Sequence, residues 1–231
     1  KKIMFGWLIA WCGNNMGRAL VWLKDLLFPR FCVNCREEGV WLCDKCVEVI
    51  VKTEKLSSEK QNLVAPHLDG VTALFHYGDK NISKLIGMLK YNSLVELRKD
   101  FKKIILTTDF ELPYKDFVLM AIPLHPRRQR ERGFNQAMIL AEGFAEKLNF
   151  KINTDLHRST YTTQQAKLSA VDRKVNLSDA FIFGNKEDSV PEKVLLVDDV
   201  FTTGATMSEC AKALKDRGVK VVWGLALAHG G

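Results

Sequence analysis

The sequence predicts an α/β fold, a mostly parallel sheet with helices on both faces, preceded by a small cysteine-bearing module. Three observations predict it. From Gly70 onward strand-like and helix-like segments alternate, the pattern of a parallel sheet covered on both sides. Val194, Leu195, Leu196 and Val197 are consecutive apolar residues without alternation, as in a strand buried on both faces. Four of the six cysteines, Cys32, Cys35, Cys43 and Cys46, crowd together near the start, while Cys12 and Cys210 stand alone. A chain of 231 residues has room for one core domain plus such a module. Its 47% hydrophobic and 26% charged residues exclude a disordered or fibrous class. The net charge of +7 favours anionic partners: phosphates, nucleic acid or an acidic membrane surface.

Residues 1–24 read as an amphipathic N-terminal extension. Lys1 and Lys2 precede an apolar run that Gly13, Asn14, Asn15 and Arg18 interrupt, short of the roughly 20 apolar residues of a membrane span. Trp7, Trp11 and Trp22 suit a helix packed on the protein or a partner, or a peripheral membrane contact. Residues 25–50 form the cysteine module. Two C-x-x-C pairs supply four thiolates from two tight turns, which suits a tetrahedral, structural zinc ion and implies a reducing, cytoplasmic compartment. Arg30, Phe31, Arg36, Trp41 and Lys45 add basic and aromatic groups that serve either as a mini-core or as a stacking surface for bases. The polar stretch 51–66 reads as a linker, and 67–231 as the main domain.

Within that domain the expected strands are 71–77, 117–122, 180–183, 193–197 and 219–228, and the expected helices 81–90, 94–106, 134–148 and 205–215. In 134–148, Phe134, Ala137, Ala141, Ala145 and Leu148 recur at three- and four-residue spacing. Gly218 is placed to cap the preceding helix at its C-terminus.

The chemistry concentrates after the buried strand 193–197. Asp198 and Asp199 are adjacent acids at its end, followed by Val200, Phe201, Thr202, Thr203, Gly204, Ala205 and Thr206, which open a helix. A helix N-terminus with hydroxyl residues and a glycine makes an anion cradle, and carboxylates at the ends of parallel strands can accept hydrogen bonds from sugar hydroxyls. The segment resembles the signature of type I phosphoribosyltransferases for phosphoribosyl pyrophosphate (PRPP). The resemblance implies that Asp198 and Asp199, as the catalytic acids, hold the ribose hydroxyls while Thr202 to Thr206 wrap the 5-phosphate.

A second loop follows the strand 117–122, running from Pro123, Leu124, His125 and Pro126 through Arg127, Arg128, Arg130 and Arg132 to Gly133. Guanidinium groups bind the oxygens of pyrophosphate in bidentate fashion, and an exposed arginine run can also be a merely solvated face. The order of motifs resembles the ComF family of competence-associated, phosphoribosyltransferase-like proteins: two C-x-x-C pairs, Leu89-Lys90-Tyr91, Pro123-Leu124-His125, Arg132-Gly133-Phe134-Asn135-Gln136, residues 165–176 and the acid-threonine loop. That resemblance implies Arg127, Arg128 and Arg132 as pyrophosphate contacts, Lys90, Gln165, Arg173 and Asn176 as further candidates, and 158–176 as a flap. It implies a site for PRPP with Mg²⁺, and partners in the uptake of single-stranded DNA, including helicase machinery at the inner face of the membrane. Three functions stay open at this point: a DNA-uptake component that binds PRPP, an active phosphoribosyltransferase of nucleotide metabolism or salvage, and a PRPP-sensing regulator.

Overall fold

The computed structural model describes residues 29–53, 65–91, 95–158, 181–184 and 190–230. The extension 1–24 and the candidates Gln165, Arg173 and Asn176 lie outside the described residues. The chain divides into two compact units, Lys1–Cys46 and Val47–Gly231.

In the first unit the cysteines organise the backbone. The Arg36 N–H donates to the Cys32 carbonyl at 3.1 Å and the Cys32 N–H to the Glu37 carbonyl at 2.8 Å, so the first C-x-x-C pair sits on a tight turn. Arg36 closes that turn in the left-handed region, at φ 66°. Phe31 and Glu38 form an antiparallel bridge across it. Val33 and Leu42 are buried beneath. Cys43 immediately precedes helix α1 (Asp44–Thr53), and Cys46 lies in its first turn. Helix α1 extends three residues into the stretch expected as a linker.

The second unit contains β1 (Gly70–His76), α2 (Lys80–Tyr91), a 3₁₀ turn (Val95–Leu97), α3 (Arg98–Thr107), β2 (Val118–Ala121), α4 (Pro126–Arg132), α5 (Gln136–Leu148), β3 (Leu156–Arg158), β4 (Phe181–Phe183), β5 (Lys193–Phe201), α6 (Ala205–Asp216) and β6 (Val221–His229). The main sheet has the order β1-β6-β5-β2 with every pair parallel. Helix α6 buries Met207, Cys210, Ala211 and Leu214 against Val194, Leu196, Val222 and Ala226. The alternate residues Leu195, Val197, Leu225 and Leu227 are buried too and point to the other face. Helix α5 packs on β2, β5 and α3. Gly218, at φ 98°, lies just past Arg217, the C-cap of α6, a backbone conformation that side-chain-bearing residues rarely adopt.

Four elements differ from the sequence expectation. Strand β5 does not stop at Val197 but runs to Phe201, because the long neighbour β6 keeps pairing with it as far as Phe201↔His229. The segment 181–183 leaves the parallel sheet and pairs antiparallel with β3, forming a separate two-stranded ribbon. The arginine loop winds into the short helix α4. Its start is fixed by Pro126 and by the His125 side chain, whose Nδ1 accepts from the Arg127 N–H at 3.2 Å. Helix α5 starts only at Gln136, because Asn135 serves as its N-cap: Oδ1 accepts from the Ala137 N–H at 3.0 Å, and Nδ2 donates to the Ile122 carbonyl at 2.9 Å. Among the described residues no helix is long and apolar enough to cross a membrane.

Candidate functional site

The carboxyl edge of the sheet is stepped. On one flank of β5 the ladder with β2 ends at Ala121↔Val197; on the other the ladder with β6 continues past both acids. Asp198 and Asp199 therefore lie within β5 but beyond the end of β2, where the backbone opens into a cavity of about 520 Å³.

Adjacent strand residues point to opposite faces. Asp199 is buried, 4% exposed, and its Oδ2 lies 2.8 Å from Lys90 Nζ in the last turn of α2, with no well-aligned hydrogen-bond donor on that oxygen among the described residues. Asp198 points to the side of α6. Burial, and after it the charge of Asp198, hold the Cys210 thiol well above its usual range. The Asp198 Oδ1 accepts from the Asp199 N–H at 2.8 Å. Burial and then the Asp199 charge push Asp198 up to about 8, so this acid holds a proton near neutrality.

Around the acids the cavity gathers Lys90, Arg128, Arg132 and Arg158, with Glu131, Gln136 and Thr206, over the apolar Ile122, Pro123 and Leu124. Arg128 and Arg132 are one turn apart on α4 and share the cavity side. Arg127 does not line the cavity: its Nε donates to Glu131 Oε1 at 2.8 Å on the exposed surface of the helix. Thr206 lines the cavity, while Thr202, Thr203 and Ala205 are exposed on the turn and the first residue of α6. Thr203 Oγ1 accepts a long 3.4 Å bond from the Ala205 N–H. Gly204, the N-cap of α6, has φ 71°, and a Cβ there would come within 2.6 Å of Ala65 and 2.7 Å of the Phe201 ring. The need for glycine comes from the protein's own packing and from the left-handed backbone.

Three polar lining residues escaped the sequence reading as site residues: Arg158, Gln136 and Glu131. Arg158 reaches the cavity from β3, its guanidinium 5.2 Å over the Phe181 ring of β4. Gln136 is 5% exposed, and its Oε1 is buried without a hydrogen-bond partner among the described residues.

In the first unit the Sγ atoms of Cys32, Cys35, Cys43 and Cys46 all lie within 4.8 Å of one another and could hold a metal ion. The Cys32–Cys43 and Cys35–Cys43 separations are 3.8 and 3.5 Å. A tetrahedron with Zn–S bonds of about 2.3 Å has edges of about 3.8 Å. Asn34 Nδ2 donates to Cys46 Sγ at 3.5 Å. Burial opposes ionisation of Cys32, but N–H groups of Cys43, Cys35 and Asn34 outweigh it and bring the thiol down to about 6. Burial pushes Cys43 up to about 12.

Comparison with known proteins agrees with this geometry. The phosphoribosyl transferase domain family matches residues 89–229. Competence protein F of Haemophilus influenzae is 31% identical over 209 residues, 87% of this chain and 86% of that protein. Competence protein ComFC of Streptococcus pneumoniae is 29% identical over 224 residues, 91% of this chain and 94% of its own length. DNA utilization protein YhgH of Escherichia coli is 32% identical over 151 residues, 61% of this chain and 64% of that protein. Relatives matched over most of their length, and a domain match running from Leu89 on α2 to His229 at the end of β6, show that the chain belongs to the ComF family of phosphoribosyl transferase domain proteins.

Proposed function

We propose that the cavity binds PRPP with Mg²⁺ and that the protein serves the uptake or use of DNA, as the names of its competence and DNA utilization relatives suggest for them. The observation that carries the reading is the division of charge around one cavity: two carboxylates on β5, and guanidinium groups from α4 and β3. Asp198 and Asp199 accept from the vicinal ribose hydroxyls. Thr206 and the N-terminus of α6 receive the 5-phosphate, and Arg128, Arg132 and Arg158 take the diphosphate, for which a planar fork is well shaped. The oxygen donors of the cavity, Asp198, Asp199, Glu131 and the unpartnered Gln136 Oε1, suit a hard cation. Mg²⁺ carried by PRPP would offset the charge of the diphosphate. We also assign the four thiolates to structural zinc, because four protein ligands leave no open position for catalysis.

The test is a melting shift with PRPP and Mg²⁺, since a ligand that binds only the folded state raises its stability by about 2.7 kcal/mol at 100 times its Kd. Changing Asp198 and Asp199 together to Ala should weaken binding at least tenfold, and a wild-type protein that PRPP does not stabilise would overturn the proposal. Pyrophosphate release, assayed with a panel of nucleobases, separates binding from transfer: release with one base makes the protein an enzyme, and binding without release makes PRPP a regulatory ligand.

A further inference from the structure

Helix α4 carries two of the guanidinium groups assigned to the diphosphate, Arg128 and Arg132, yet none of its seven residues is buried. An exposed helical segment of that length is marginal, because so few hydrogen bonds barely offset the cost of nucleation. Its composition works against it as well. Four arginines accompany one glutamate, and Arg128 and Arg132 stand four residues apart, a like-charge spacing that destabilises a helix. The exposed Arg127–Glu131 pair offsets little of this. How the ends of α4 are closed therefore matters more than it does for a helix packed into a core.

At the C-terminal end Gly133 turns left-handed, at φ 78°, and its N–H donates to the Gln129 carbonyl at 2.8 Å. The N-terminal end is closed by His125. Pro126 has no N–H, so Arg127 carries the first N–H that the helix cannot satisfy itself, and His125 Nδ1 accepts it at 3.2 Å. The His125 carbonyl accepts from the Gln129 N–H at 3.0 Å, so one residue closes the first turn through both its ring and its backbone. A neutral ring whose Nδ1 accepts carries its proton on Nε2. The ring is not itself a cavity group: Pro123, Leu124 and Arg128 line the cavity and His125 does not.

We propose that His125 is a positioning residue for diphosphate recognition: by accepting the Arg127 N–H it keeps α4 wound and so keeps Arg128 and Arg132 turned to the cavity. This rests on the reading of the cavity as a PRPP site. When only part of the population has the helix wound, the apparent affinity falls by that fraction. The effect is selective. The arginines of α4 meet the diphosphate, so the loss reaches PRPP and pyrophosphate but spares ribose 5-phosphate, which is held by the acids and the N-terminus of α6.

Two substitutions of this exposed ring test the idea. His125→Leu removes the acceptor, whereas His125→Asn restores one, since Oδ1 of an asparagine stands close to where Nδ1 stood and Asn is among the strongest N-caps. Titrations with Mg²⁺ should show PRPP and pyrophosphate weakened about fivefold in His125→Leu, the scale of one lost cap, with ribose 5-phosphate changed by less than about twofold. His125→Asn should bind all three like the wild type. Unchanged PRPP affinity in His125→Leu, an equal loss of ribose 5-phosphate, or a His125→Asn protein as weak as His125→Leu overturns the proposal. The ligand-free protein gives a readout that does not depend on PRPP: the amides of residues 130–133 should exchange about fivefold faster in His125→Leu than in the wild type or His125→Asn. By nitrogen NMR at mildly alkaline pH, His125 should show an unprotonated Nδ1 beside a protonated Nε2. The opposite tautomer, or equal exchange in all three proteins, overturns the cap whatever the ligand. An intact cap in a wild-type protein that binds neither PRPP nor pyrophosphate overturns instead the reading of the cavity, and with it the diphosphate role.

Discussion

Arg127 commits its guanidinium to Glu131, one turn along α4, whereas Arg128 and Arg132 turn toward the acids. Arg128→Ala and Arg158→Ala should each weaken PRPP and pyrophosphate about tenfold or more, the scale of a charge-assisted hydrogen bond worth about 1.5 to 3 kcal/mol, and leave ribose 5-phosphate nearly unchanged. Arg127→Ala should change all three affinities by less than about threefold, as for an exposed ion pair worth under about 1 kcal/mol. Competition titrations decide it: equal losses at Arg127 and Arg128 would contradict the division. The place of the acids was legible in the sequence because four consecutive apolar residues, Val194 to Val197, lead directly into Asp198 and Asp199. Their opposite orientations and the Lys90 partner were not, since both depend on where the strand pairs. Arg158 was hidden for a different reason. Three residues of β3 carry no readable periodicity, and the ring it stacks on, Phe181, belongs to a strand that comes much later in the chain.

Helix α6 and the turn before it depend on Gly204 twice, through a left-handed backbone and through the space that Ala65 and Phe201 fill. Gly204→Val should lower stability by about 2 to 4 kcal/mol in the absence of any ligand, the sum expected for overpacking and a strained φ. Denaturant unfolding measures it, and an unchanged midpoint would show that the turn absorbs the side chain. Most helices and strands could be read from apolar periodicity. The strand β5 could not be read to its end, because Asp198 and Asp199 are poor strand formers in isolation and only pairing with β6 carries the strand through. Similarly, four arginines look like a solvated loop until Pro126 and His125 are seen to start a helix. A three-residue apolar run such as 181–183 gives no sign of whether its partner is parallel or antiparallel.

For the molecule as a whole, zinc and charge make separate demands. The purified protein should hold about one zinc per chain, and chelation or Cys43→Ser should release the turn amides of residues 32–39 to rapid hydrogen exchange. Metal-free protein with the same protection would remove the zinc assignment. Within residues 29–46 three basic side chains, Arg30, Arg36 and Lys45, are matched by the acids Glu37, Glu38 and Asp44, so the net +7 of the chain is carried elsewhere. Single-stranded DNA should bind with an affinity that falls as salt rises, as counterion release requires, and Arg36→Ala should leave that dependence unaltered. A large change with Arg36→Ala would move the nucleic-acid surface onto the cysteine turns. The strand order β1-β6-β5-β2 also governs how the chain comes to exist at all. Strand β1 emerges early from the ribosome, yet its one sheet neighbour among the described residues is β6, so residues 70–76 wait for residues 223–229 before they can pair. Such long-range closure folds slowly and leaves apolar edges exposed while it waits. A ribosome stalled before residue 221 would therefore hold β1 unpaired, a client for chaperones that the finished protein no longer needs.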